Sequence, residues 1–296
     1  CYLDSMSRRP ALLGVLLSFF TCTLVAQGPK HFFWSVKNAI GHEAFLVGSL
    51  HVLTPDFYPL SPEIEKAFEG SRALVEEVNL DELNNPASVA SLAGKAMFTD
   101  GRTLEQVISP ATFAEVKRRA EKSGLPIAAL QRMKPWMAAV ALTTPMLTAA
   151  GFDTDLGIDR HFFAKAKAMG RQRWALESVA FQLDRFDQLS PALQEQMLTS
   201  TLADVDTQIA NVKMVASAWA RGDTKTIEQV LLTELRELPE LFQRLLVDRN
   251  RNWLPQVESC LSQNSGCFIV VGAAHLVGPE GLPTLLAAKG YKVEQR

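Results

Sequence analysis

The sequence predicts an α/β (α+β) fold, with a central mixed β-sheet built from two related halves and a large helical insertion between them. Three observations predict it. The tetrapeptides Gly48-Ser49-Leu50-His51 and Gly272-Ala273-Ala274-His275 each close an apolar, strand-like run, Ala44 to Val47 in the first and Cys267 to Val271 in the second. Each is followed by a helix signal and another strand-like run, so one strand–helix–strand plan is used twice. Between the copies, over about 85–262, apolar residues recur at helical spacing with charged residues on the outer faces.

The chain opens on an address. From Met6, the basic Ser7-Arg8-Arg9-Pro10 precedes an apolar run from Ala11 to Ala26, the layout of a secretory signal. The run is shorter than the roughly 20 apolar residues of a membrane span, while Leu24 sits where the cleavage rule wants a small residue. Residues 1–27 therefore read either as a cleaved signal peptide or as a retained N-terminal anchor, with one domain over 28–296. Both readings export the protein, to the periplasm or beyond, and the membrane is met only through an uncleaved N-terminal segment.

The first half begins with a hairpin. His31 to Val36 is aromatic and β-branched, Asn38 to His42 supplies turn chemistry, and Ala44 to Val47 returns toward His51. Ser61-Pro62 then opens a helix that runs to Gly70, serine being a good N-cap and proline a good first helical residue. Ala73 to Leu80 reads as a buried strand that carries Glu76 and Glu77. In the insertion, Ser109-Pro110 opens one helix and Ser190-Pro191 another that extends to about Ala220. Thr224 to Glu237 and Pro239 to Ser262 are amphipathic. A helix from Gly157 to Lys167 leads into the strand candidate Arg173 to Glu177. The second half repeats the plan with a helix over Pro279 to Lys289, Gly290 as its cap and a strand from Tyr291 to Glu294.

Composition bounds the function. At 296 residues, 47% hydrophobic and 21% charged, the chain can bury a large core. A net charge of -2, with no basic tract interleaved with aromatics, excludes a phosphate-tracking surface, so no nucleic-acid partner is expected. Removal of the signal would take Cys1 and Cys22 with it and leave Cys260 and Cys267 on either side of a turn-like segment. In an oxidising compartment these would join a helix end to the strand before His275. Closing so small a loop contributes only on the order of 2 kcal/mol. Two unpaired thiols are the other reading.

A lone glycine-x-x-histidine carries little information, but two copies in matched settings gain weight, because imidazole is the commonest metal ligand and a base tuned near neutral pH. Glycines 48 and 272 let the backbone leave each strand without a Cβ clash. Glu77 adds to the pair, since a carboxylate within an apolar strand needs a cation or hydrogen-bond donors. Alternation along a strand places Glu76 and Glu77 on opposite faces, so one of them reaches the site. His31, His42 and His161 lack such settings and read as structural or surface residues.

With Val75-Glu76-Glu77-Val78-Asn79, Leu156-Gly157-Ile158-Asp159, Leu176-Glu177-Ser178, Arg249-Asn250 and the closing Gly272 to Gly278 added, the sequence resembles the TraB/GumN family, related to the Tiki metalloproteases. The resemblance runs from about Phe33 to the last residue. It implies His51, Glu77 and His275 as metal ligands, with Asn79 departing from the aspartate usual at its place. Asp159, Glu177 and Arg249 match further polar positions of the family. Two imidazoles and a carboxylate would leave a coordination position for water on manganese, cobalt or zinc. Glu177 or Asp159 would serve as general base and Arg249 would face developing negative charge. The expectation is an exported metal-dependent hydrolase, acting on a peptide or protein substrate, without the helical His-Glu-x-x-His of common zinc proteases. The alternatives are a non-catalytic protein that sequesters a peptide, a metal or haem, and a metal-free esterase with His51 as base.

Overall fold

The computed structural model describes residues 30–296. The expected signal or anchor, with Cys1 and Cys22, lies outside the described residues. One six-stranded mixed sheet organises the rest, in the order β4-β3-β5-β2-β1-β6. Strand β1 (Phe33–Lys37) pairs antiparallel with β2 (Glu43–Ser49) across the expected turn. There the Asn38 side chain accepts the backbone N–H groups of Ile40 and His42, and Gly41 takes a positive φ of 87°. β2 runs parallel to β5 (Cys267–Gly272), β5 to β3 (Ala73–Glu76), and β3 to β4 (Gln172–Ala175). β6 (Lys292–Gln295) lies antiparallel to β1 and closes the far edge.

Parallel neighbours need crossover connections, and here helices supply them. The helix Pro62–Gly70 joins β2 to β3, and Leu282–Ala288 joins β5 to β6. In both cases the joined strands run the same way, so the duplicated strand–helix–strand plan is present in the fold. The four parallel strands bring their carboxyl ends to one edge of the sheet, Ser49 opposite Gly272 and Glu76 opposite Val270. The apolar runs of β3 and β5, in the middle of the sheet, are buried nearly throughout, as strands covered on both faces require, while edge strand β4 stays partly open to solvent.

The larger departures from expectation are three, two in helices and one in a strand. The stretch from Ser190 breaks after Thr201, because the Asp204 carboxylate accepts the Thr207 N–H and caps a second helix, Val205–Ala220. β3 stops at Glu76 rather than Leu80, because the Asn79 side chain accepts the Asp81 N–H and turns the chain into the short 3-10 segment Leu80–Asn84. The helical run over 239–262 is continuous, but its second turn is a π-turn, Gln243–Val247. Helices Pro86–Ala96, Pro135–Ala149 and Val179–Asp187 complete the insertion. Part of the insertion packs on a small core of its own, with Phe113, Leu130, Leu142 and Leu198, apart from the main core beneath the sheet. No described helix is long and apolar enough to cross a membrane.

Two local details hold the site's supports in place. Cys260 and Cys267 form a disulfide that ties the end of helix Asp248–Ser262 to the first residue of β5. At Gly48, a Cβ would stand 2.2 Å from the Phe32 ring, while the Gly48 carbonyl accepts the Trp219 indole N–H at 2.6 Å. Gly48 is thus demanded by packing. Gly48→Ala should cost about 1–3 kcal/mol by overpacking. Gly70→Ala, where a Cβ meets open space, should be neutral or stabilise by up to about 1 kcal/mol. Urea unfolding of the two variants checks the contrast.

Candidate functional site

A cleft opens at the shared edge of the parallel strands, bordered by Ser49, His51, Glu76, Glu77, Asp159 and Gln182 among others. Carboxyl ends of parallel strands are the usual place for sites in such sheets. His51 stands two residues beyond β2, on a loop strapped to the segment that carries Asp159. Leu50 accepts the Ile158 N–H at 3.1 Å, and Leu53 and Asp153 exchange backbone hydrogen bonds of 3.2 and 2.9 Å. Asp159 lies in the first turn of helix Ile158–Ala168, where the helix N-terminus favours an acid. One of its oxygens accepts the Ser49 hydroxyl at 3.0 Å, and the other lies 3.2 Å from His51 Nδ1. Gly157 makes this approach possible, since a Cβ there would stand 2.7 Å from the His51 carbonyl.

Behind the cleft sits a buried charge cluster around Arg249. Its Nε and Nη2 donate to the Glu177 carboxylate at 2.7–3.2 Å, and Nη2 also donates to Glu77 Oε2 at 2.5 Å. Nη1 donates to the Leu245 carbonyl at 3.1 Å and approaches His275 Nε2 at 3.0 Å. Arginine can only donate, so His275 Nε2 accepts, and its Nδ1 proton goes to Asn250 Oδ1 at 2.7 Å. The Asn250 amide in turn donates to the Glu280 carbonyl, and the Trp253 indole donates to Glu177. Glu77 Oε1 accepts the Gly272 N–H at 2.6 Å, and Gln182 donates to Glu77 Oε2 at 2.9 Å. A Cβ on Gly272 would come within 3.1 Å of that same Glu77 oxygen. A side chain at this position would thus crowd the carboxylate.

These surroundings set the charges. Burial opposes ionisation of Glu77, but the charge of Arg249, with that of His51 and the Gly272 N–H, holds its carboxyl down at about 2. Burial pushes His275 down to about 3, so it is neutral. Glu76 is pushed up to about 9 by burial and by the charge of Asp159, against the weaker pull of Arg173. Its Oε1 is buried and has no hydrogen-bond partner among the described residues. For His51, desolvation works downward, yet the hydrogen bond and charge of Asp159 and the charge of Glu77 outweigh it and raise its proton affinity. The ring is 66% exposed, so solvent tempers that pull.

The structure thus separates the residues singled out in the sequence. His51, Glu77 and Asp159 border the cleft, whereas His275, Glu177 and Arg249 form the cluster behind it. His275 Nε2 stays 3.9 Å from Glu77, and both its nitrogens are engaged within the protein. Among the described residues no three His, Cys, Asp or Glu side chains are gathered closely enough to hold a metal ion. The chemistry of the cleft donors nevertheless fits a divalent cation: an imidazole and three carboxylates around one opening, with one carboxylate oxygen unpartnered. Glu76 borders the cleft alongside Glu77, because the strand ends between them and alternation lapses. The sequence signal for Glu76 was present in the doublet itself. Gln182 carried none, as it sits on a helix that periodicity did not reveal.

Comparison with known proteins places the sequence. A family model for the TraB/PrgY/gumN family matches residues 32–295. The "Uncharacterized protein YbaP" of Escherichia coli (strain K12) is 23% identical over 261 residues, 87% of this chain and 94% of that protein. The protein of the same name from Shigella flexneri is 22% identical over the same shares. No solved structure matches the chain.

Two stability measurements probe the site's electrostatics. Arg249→Met leaves two buried carboxylates without their cation and should cost about 3–5 kcal/mol in urea unfolding. The Glu76 carboxyl, at about 9 when folded against an ordinary 4.5, makes its full contribution at low pH and loses it as pH rises from about 4.5 to 9. In chelator-treated protein, Glu76→Gln should therefore leave stability unchanged near pH 4 and raise it progressively toward pH 8. An equal effect at both ends would contradict the buried neutral acid.

Proposed function

The chain belongs to the TraB/PrgY/gumN family, and from that premise we propose that it is an exported hydrolase, acting on peptide bonds, whose chemistry is centred on His51 and Asp159. The observation that carries this reading is the pair itself: Nδ1 of an open imidazole lies 3.2 Å from a carboxylate that Ser49 holds by its other oxygen. Asp159 keeps the proton on Nδ1 and leaves Nε2 to take a proton from water and return it to the leaving nitrogen. The carboxylate also makes the imidazole a stronger base. Arg249, with its donors spent on Glu77, Glu177 and His275, acts as a positioning residue that holds Glu77 at the cleft wall.

A divalent cation, manganese, cobalt or zinc, belongs to this reading; Asp159 with Glu76 and Glu77, at and just beyond the end of β3, would hold it, and His51 keeps Nε2 free as the base. Bound there it would polarise the substrate carbonyl and lower the pKa of a water. The unpartnered Glu76 oxygen and the crowding of carboxylates support a cation at the cleft. The disulfide supports an oxidising compartment, periplasmic or secreted.

Purified protein, stripped of metal and reconstituted, should cleave unstructured peptides. His51→Ala and Asp159→Asn should each lower kcat/KM by about 10²–10⁴-fold. Unchanged rates in both variants would overturn the assignment. Metal analysis of the purified protein should find about one equivalent that is lost in Glu77→Ala and in Glu76→Ala; retention in both would refute this donor set.

A further inference from the structure

The cleft does not end at Asp159. A second cavity is lined by Leu80, Leu83, Asp155, Arg160, Phe163 and Ala164, and it shares Leu80 and Leu83 with the cleft. Two elements make the passage between them. On one side, positions 159, 160, 163 and 164 of helix Ile158–Ala168 form a single stripe, since residues three and four apart are neighbours on a helix. On the other, the 3-10 segment Leu80–Asn84 begins four residues after Glu76 and sets its two leucines against that stripe. The floor is apolar, and Leu83 is left 38% exposed. At its rim the Arg160 guanidinium is half exposed, and its only charged contact among the described residues is a loose 3.5 Å approach to an open Asp155. An exposed pair of that kind contributes little and gives way readily to another carboxylate.

We propose that this second cavity is the specificity subsite of the cleft: it takes an apolar side chain about two residues from the bond that is cut, with a carboxylate of the same substrate chain on Arg160. The offset follows from helix geometry. A rise of about 1.5 Å per residue carries the stripe about 6 Å from Asp159 to Phe163. That matches about two residues of extended chain at roughly 3.3 Å each. An aliphatic or aromatic side chain buries its surface against Leu80, Leu83 and Phe163, and a carboxylate finds in arginine a forked donor suited to it. The inference rests on the hydrolase reading for its register, but the subsite's preference for a ligand can be measured without turnover.

Two measurements separate the subsite from that reading. Cleavage of a mixed peptide library, read by mass spectrometry, should favour an apolar residue two positions from the cut with an acidic neighbour. Leu83→Ala should flatten the apolar preference, roughly tenfold for the loss of such contacts, and Arg160→Glu should reverse the charge preference. In parallel, a fluorescein-labelled peptide with adjacent leucine and glutamate should bind His51→Ala protein about tenfold more tightly than one with serine and lysine. That difference should vanish when Leu83→Ala or Arg160→Glu is added. Both positions are exposed enough that neither variant threatens the fold. Equal cleavage preferences in all proteins, or equal binding of the two peptides, overturns the subsite. Selective binding without any cleavage supports the subsite and overturns the hydrolase reading instead.

Discussion

The contact between the Arg249 guanidinium and the Glu77 and Glu177 carboxylates is the constraint on which the rest of the site depends. It joins four parts of the chain that are remote in sequence: the end of β3, the segment after β4, the helix over 239–262 and the closing glycine-x-x-histidine motif. Each charge in it is nearly inaccessible, at 4–11% exposure. Taking such ions out of water is costly unless the geometry is good and the remaining donors and acceptors are satisfied. Here they are: the arginine spreads its donors over two carboxylates, a backbone carbonyl and an imidazole. The π-turn at Gln243–Val247 ends two residues before Arg249. It adds a residue to one turn and so shifts the register of the helix that follows, which bears Arg249, Asn250 and Trp253 on its buried side.

That cluster explains why the two glycine-x-x-histidine motifs, alike in sequence, are unlike in role. Both sit at the carboxyl ends of adjacent parallel strands, paired Ser49 to Gly272. The first glycine is demanded by the Phe32 ring, and the second leaves room for the Glu77 carboxylate on its N–H. Beyond them, Leu50 is tied to a helix start that holds its histidine against Asp159 in the open cleft. Ala273–Leu276 coils into a 3-10 turn that buries His275 between Asn250 and Arg249. A duplicated strand end has thus diverged into one exposed imidazole with raised proton affinity and one neutral imidazole that completes a charge cluster.

The sheet was legible in the sequence because buried parallel strands leave uninterrupted apolar runs and because serine or glycine marks their surroundings. Helices that open on Ser61-Pro62, Ser109-Pro110 and Ser190-Pro191 were legible for the same reason, since cap and first-turn proline stand together. Helix Pro86–Ala96 lacked a polar face to define its period, being rich in small apolar residues, and Val179–Asp187 follows its strand too closely to be parsed from pattern alone. The break at Asp204 is a local competition that periodicity does not record, because a side-chain cap outbids one more turn of helix. Within the site, residue types announced that Glu77 needed partners. They did not announce which partners, because Arg249 reaches it across 172 positions of sequence.

What remains distinctive is the division of labour between neighbouring acids. Glu76 and Glu77 are consecutive, yet one is held ionised by Arg249 and the Gly272 N–H, and the other is held neutral by burial near Asp159. Burial opposes the charge of both, but Glu77 has Arg249 in direct contact, whereas Glu76 has only the weaker pull of Arg173 set against the charge of Asp159. The cleft is therefore left with a protonated acid, an ionised aspartate and an imidazole that shares the aspartate's field. Of the groups at the opening, Glu77 has its charge state fixed from behind, by Arg249. The buried arginine thus shapes the chemistry of an opening that it does not itself border.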